Sequence, residues 1–153
     1  MTLTQKESLL LQDLKSQEQL CIDKYGRYSN LACDPQLKKL LAQLAEHERQ
    51  HLDTLTQMES GTAPMMGGSQ SQMPGGFTES NCAQNEKQQD AYLCKDLINT
   101  EKHVSSTYNT CVFEFRDKSM RDALNHIQKE EQEHGKFLYD YMAANGMYNT
   151  QQA

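Results

Sequence analysis

The sequence predicts an all-α domain, a four-helix bundle built from two repeated helical hairpins with a long crossover between the second and third helices. Three observations carry this. Trp is absent, Leu, Gln, Glu and Lys are common, and strand-like alternation is hard to find, which favours helix throughout. Four stretches place apolar residues at alternating steps of four and three, the spacing of a helix seam. The chain also repeats itself: Glu18, Tyr25, Asp34, Glu48 and His51 map onto Glu101, Tyr108, Asp117, Glu131 and His134 at a constant offset of 83 residues. At 153 residues this is a single domain, 1–153, large enough to bury a real core.

The first helix is expected over about residues 4–31, with Glu7, Leu11, Leu14, Glu18, Cys21, Tyr25 and Tyr28 along its seam. Gly26 is its weak point, at a cost of about 1 kcal/mol relative to Ala. Asp34-Pro35 restarts the helix, Asp as N-cap and Pro at the first helical position. The second helix then runs to about residue 59 and carries Leu37, Leu41, Leu44, Glu48, His51, Leu55 and Met58, with Ser60-Gly61 as its stop. Residues 61–77 change to Gly, Ser, Met, Gln and Pro without periodicity and read as a flexible crossover. A parallel neighbour to the second helix requires such a return, about 37 Å for a 25-residue helix. The third helix is expected over about 85–115, with Asp90, Cys94, Leu97, Glu101, Val104, Tyr108, Cys111 and Phe115 inward. The fourth, about 118–144, is capped by Asp117, carries Met120, Leu124, Ile127, Glu131, His134, Leu138 and Tyr141, and ends at Asn145-Gly146. The hairpins are thus 4–59 and 85–144, followed by a loose tail, 145–153.

Carboxylates on an inward stripe are unusual, and here they come in a pattern. Glu48-Arg49-Gln50-His51 returns as Glu131-Gln132-Glu133-His134, and thirty residues before each copy sits a lone glutamate, Glu18 or Glu101. Residues i and i+3 of a helix share a face, so each E-x-x-H aims a carboxylate and an imidazole at one point. Two such pairs plus one Glu from each of two further helices form the ligand set of a di-iron or di-manganese carboxylate site. Spacing supports convergence. The midpoints of Glu18 with Glu48 and of Glu101 with Glu131 both fall in predicted turns, so the members of each pair stand at one level, about 22 Å from the turn. Energy supports it too. Four buried carboxylates cost about several kcal/mol each without compensation. Two divalent cations neutralise them, and oxygen-rich ligation with two imidazoles suits two Fe or Mn ions per chain better than structural zinc.

Other readings attach to single residues. His47-Glu48-Arg49-Gln50-His51 is formally H-E-x-x-H, the zinc protease signature, but the second copy begins with Glu130, so the repeated element is E-x-x-H. His47 is therefore expected at the surface or behind the ligands. Tyr25 and Tyr108, two turns beyond Glu18 and Glu101, can hydrogen-bond a ligand, act as redox groups, or only pack. Cys21 lies one turn beyond Glu18, where a packed core thiol is the simpler expectation. His103 and His126 fall off the seams and are expected to be solvated. Met65, Met66 and Met73 are irregularly spaced and belong to the flexible connection rather than to a soft-metal site.

A net charge of −6 gives no electrostatic reason to bind nucleic acid. No apolar run approaches the roughly 18 residues that span a bilayer. The first fifteen residues lack a secretory pattern, so synthesis in the cytoplasm without a signal peptide is expected. Five cysteines, Cys21, Cys33, Cys82, Cys94 and Cys111, form no C-x-x-C pair and read as reduced thiols, with crosslinking between chains as the alternative.

The six-residue set resembles the ferritin-like superfamily across all four helices. That resemblance implies bridging roles for Glu48 and Glu131, terminal roles for Glu18 and Glu101, and one nitrogen ligand per metal from His51 and His134. Asp34-Pro35-Gln36-Leu37-Lys38-Lys39-Leu40, Asp96-Leu97-Ile98-Asn99-Thr100-Glu101-Lys102-His103, Tyr139-Asp140-Tyr141-Met142 and Asn145-Gly146-Met147-Tyr148 are similar to the spore coat F protein family of endospore-forming bacteria. This second resemblance implies a place in the spore coat, with other coat proteins or a second copy of the chain as partners. Two functions follow as expectations. One is a coat-associated dinuclear Fe or Mn protein that reacts with dioxygen or peroxide, or oxidises and stores metal, as part of oxidant defence. Turnover would make it an oxidoreductase of ferroxidase, peroxidase or catalase type. An external electron donor is then needed, because no rubredoxin-like cysteine module is present. The other is a structural coat building block in which metal is at most a folding staple.

Overall fold

In the computed structural model, which describes residues 2–65 and 73–148, the chain forms four helices and, among the described residues, no strand. These are α1 (Gln5–Leu31), α2 (Pro35–Met58), α3 (Gln84–Val112) and α4 (Lys118–Ala144). The starts follow from capping chemistry. Thr4 and Glu7 form a reciprocal capping box on α1. Asp34 accepts from the Gln36 amide ahead of α2, and Asp117 accepts from the Met120 amide ahead of α4. α3 begins behind Ala83, which has no side chain to cap with, and its start lies one residue before the expected position. It also ends earlier than expected, at Val112. The Phe113 and Glu114 amides close a tight turn on the carbonyls of Thr110 and Cys111, and Phe115 then drops into the core. Gly61 and Gly146 adopt φ of 89° and 66° just past α2 and α4, the left-handed geometry that glycine accepts without a Cβ penalty.

α1 packs on α2 and α3 on α4, and the two hairpins meet through α1 against α3 and α2 against α4. Gln17 bonds Thr107, Lys24 bonds Thr100 and Tyr28 bonds Asp96, so α1 and α3 run in opposite directions. The Lys15–Glu59 and Ser29–Lys38 pairs set α1 against α2 in the same sense. α2 and α3 therefore point the same way. Of the predicted crossover, residues 66–72, including Met66, lie outside the described residues, as do 149–153 of the tail. The flanking parts are less loose than expected. Ala63, Met73 and Phe77 pack on the core, Phe77 edge-on to Tyr141, whereas Met65 is fully exposed. In the tail Met147 packs on the core and Tyr148 meets Tyr139. Phe77 and Met147 contribute apolar area that short-range periodicity cannot register.

The offset of 83 residues survives in the contacts. Asp90 accepts from the Cys33 and Asp34 amides in the turn of the first hairpin, at 2.9 and 3.1 Å. Its counterpart Glu7 accepts from the amide of Arg116, the counterpart of Cys33, at 3.1 Å. Burial alone would raise the Glu7 carboxyl, but the Thr4 amide and the Arg116 side chain and amide overcome it and hold the group at about 2. Each turn is thus tied to the first turns of the other hairpin.

The cysteines require a correction. Cys33 and Cys82, expected as reduced thiols, form a disulfide with a Cα–Cα distance of 6.4 Å; Cys21, Cys94 and Cys111 are free and buried. The sequence offers no sign of this because the partners are 49 residues apart and meet only when α3 docks beside the α1–α2 turn. In the chain-entropy picture a loop of that length restricts the unfolded state by about 4 kcal/mol. No helix among the described residues is long and apolar enough to cross a membrane.

Candidate metal centre

Each of the four helices brings one glutamate to the middle of the bundle, and α2 and α4 add a histidine one turn later. Glu18, Glu48 and Glu131 are 0% exposed, Glu101 and His51 3%, and His134 1%. The six predicted residues therefore meet, and they meet as two overlapping groups. Ligand atoms of Glu18, Glu48, His51 and Glu131 lie within 4.8 Å of one another, as do those of Glu48, Glu101, Glu131 and His134. Glu48 and Glu131 belong to both groups; Glu18 and Glu101 belong to one each.

Both imidazoles present Nδ1 to the interior. His51 Nδ1 lies 2.7 Å from Glu131 Oε1 and 3.5 Å from Glu48 Oε2. His134 Nδ1 lies 2.7 Å from Glu48 Oε1 and 3.5 Å from Glu101 Oε1. These approaches lack hydrogen-bond geometry. Glu18 Oε2, both oxygens of Glu48 and Glu131, Glu101 Oε2 and the Nδ1 atoms of both histidines have no hydrogen-bond partner. So dense a cluster of buried, unmatched polar atoms is costly in a core. It also has the composition of a cation site, with four carboxylates and two nitrogens around one point. The donor set is of a kind that would fit divalent ions, with Glu48 and Glu131 common to both groups.

The charges respond to one another as a crowded site demands. Burial, with Glu18 and Glu101 nearby, pushes the Glu48 carboxyl well above the carboxylate range. Burial, with Glu101, Glu48 and Glu18 nearby, does the same to Glu131. Burial opposes ionisation of Glu18 too, yet contacts from Glu48, His51 and Tyr108 hold it below its ordinary value. For Glu101 the opposing contacts come from Glu131, His134 and Tyr25. Both site histidines are raised, against their burial, by the carboxylates around them.

The two tyrosines have a definite place. Tyr108 donates to Glu18 at 2.5 Å, and Tyr25 donates to Glu101. Each hydroxyl reaches across to the other hairpin's lone glutamate, not to the one seven residues before it, because α1 and α3 run antiparallel at this level. Cys21 is in the core, its thiol pushed up by burial and by the four surrounding carboxylates. His103 is exposed, and His126 is half-buried beside Glu130 at 3.0 Å.

Two residues behind the site histidines escaped the sequence reading or were placed loosely by it. Glu130 Oε1 lies 3.2 Å from His51 Nε2, and His47 Nδ1 lies 3.4 Å from His134 Nε2. His47 is 6% exposed, so it lies behind His134 and is not at the surface. Glu130 and His47 are counterparts at the 83-residue offset, each immediately before an E-x-x-H glutamate and each contacting the histidine of the opposite hairpin. The repeat itself was the signal that could have found them.

No curated protein and no solved structure matches the chain. Residues 89–151, which take in most of α3 and all of α4, match the family model of the Coat F domain. The second hairpin, with Glu101, Glu131 and His134, is thus the part of the chain that is similar to the Coat F domain.

Proposed function

We propose that the chain is a ferritin-like, spore-coat-associated protein that holds two Fe or Mn ions between its hairpins and uses them in oxidant chemistry. The observation that carries this reading is the cluster of unmatched atoms, contributed by six side chains that are at most 3% exposed. The helix directions and the wide α2–α3 separation in sequence support the ferritin-like part, and the Coat F match supports the coat part.

Glu48 and Glu131 are read as the shared ligands, Glu18 and Glu101 as terminal ones, and His51 and His134 as one nitrogen for each ion. When bound, such a pair supplies redox chemistry toward dioxygen or peroxide. The chain's own contribution is positional. Tyr25 and Tyr108 fix the terminal carboxylates from the opposite hairpin, and Glu130 and His47 orient the imidazoles so that Nδ1 faces inward.

Metal content is the first test. Elemental mass spectrometry on protein purified without chelator or His tag should give close to two Fe or Mn per chain, and Glu48→Ala with Glu131→Ala should lose both. Near zero in the unaltered chain after anaerobic reconstitution would overturn the metal reading. A loaded protein that leaves peroxide and dioxygen untouched would favour the structural coat role, with metal as a staple; the nearly complete burial of the six side chains is the observation on that side.

A further inference from the structure

The two halves of the bundle are not equally closed over the site. Between α3 and α4 an opening of about 530 Å³ runs inward from the surface, with Lys102 and Lys136 at its mouth, Ser105 and Gly135 on its walls and Glu101 and Glu131 at its floor. Glu101 is the one of the four glutamates with measurable exposure, 3% against 0% for the others. A Cβ built on Gly135 meets nothing within 4 Å, so the space above this position is empty.

The repeat shows what closes the other half. At the 83-residue offset, Ser105 corresponds to Ile22 and Gly135 to Leu52. Ile22 is 7% exposed and Leu52 is half-buried, so branched apolar side chains occupy the first hairpin where the second has a hydroxymethyl group and a hydrogen. The mouth differs in charge as well. Lys102 and Lys136 stand where the first hairpin has Gln19 and Asp53, and Lys136 is paired with Asp140. At these positions the second hairpin thus has less bulk and more positive charge than the first, directly above two of the proposed ligands.

We propose that the α3–α4 opening is the route by which a small ligand of peroxide or azide size reaches the metal pair, with Gly135 and Ser105 setting its width. This rests on the metal reading above. Lys102 discourages free cations at the mouth, while Lys136 is offset by its pairing with Asp140.

The test uses the loaded, oxidised full-length chain and azide as a non-reacting probe, followed by the absorbance change of the centre in stopped flow. Gly135→Leu restores the residue of the first hairpin into open space, and leucine is also the better helix former. The variant should keep two metals per chain and bind azide at least about tenfold more slowly. Azide binding at the unaltered rate in a two-metal Gly135→Leu protein would overturn the route while leaving the metal site intact. Absence of metal from the unaltered chain would instead sink the metal reading and the route with it. If Gly135→Leu fails to load, Ser105→Ile carries the same comparison with the same expected slowing, and an unaltered rate there overturns the route.

Discussion

Behind the six candidate ligands, single residues make the two halves of the site chemically unequal. His51 is backed by the carboxylate of Glu130, which is held at about 2 because His51, His126 and His134 outweigh its burial. His134 is backed by His47, whose pKa is lowered by burial and by His134 and whose Nδ1 lies 3.4 Å from His134 Nε2. A carboxylate partner makes a ligand imidazole more basic than an imidazole partner does. The position served by His51 should therefore bind its ion more tightly. Glu130→Ala is expected to weaken that ion by about 10- to 100-fold, and His47→Ala to weaken the other ion less. Competition titration against a chelator of known affinity resolves the two steps; equal losses in the two variants would remove the asymmetry.

At the scale of elements, the hairpin turns are held by equivalent but unequal caps. Asp34 accepts from the Gln36 amide and from the Tyr141 hydroxyl at 2.7 Å, and it is 3% exposed. Asp117 accepts from the Met120 amide at 3.3 Å in a more open setting. Losing a cap costs about 1 kcal/mol, and stranding a buried hydroxyl adds about 1–3 kcal/mol. Asp34→Ala should thus destabilise by about 2–4 kcal/mol and Asp117→Ala by about 1 kcal/mol in urea unfolding. Equal effects would show that the Tyr141 contact contributes nothing. These caps were legible in the sequence because N-capping is local chemistry. The end of α3 was not, since Phe115 is buried after its helix has stopped and periodicity alone extends the helix to reach it.

For the whole molecule, the proposed metal site is one for which protons and metal would compete. In the metal-free chain Glu48, Glu131, His51 and His134 all have raised pKa values, so a divalent ion must displace protons to bind. Affinity should fall on acidification, about tenfold per pH unit for each proton displaced, and binding in weak buffer should release acid. Stability runs the other way without metal. A group whose folded pKa is raised contributes stability that is full below its unfolded pKa and is lost as pH rises through the folded value. Glu18 and Glu101, which are lowered, contribute a constant amount above the unfolded carboxylate range. The metal-free chain should therefore show a Tm that falls as pH rises past the ordinary carboxylate range and then past the ordinary imidazole range, while the loaded chain holds or gains. Calorimetry on both forms tests this, and parallel curves would refute proton–metal exchange at these residues.

Local sequence pattern was enough to place the helices, the two hairpins and the six inward residues of the candidate ligand set. Caps, seam spacing and an 83-residue repeat are written in neighbouring or regularly offset positions and need no knowledge of docking. Tertiary structure decided everything that depends on which helix faces which. Antiparallel packing of α1 on α3 sends Tyr25 to Glu101 and Tyr108 to Glu18, and it brings Cys82 to Cys33. The approach of α2 to α4 turns His47 and Glu130 from flanking residues into partners of the histidines. The opening over Glu101 is likewise a property of two helices together, because the loss of bulk at Ser105 and Gly135 makes a passage only where the two positions face the same gap.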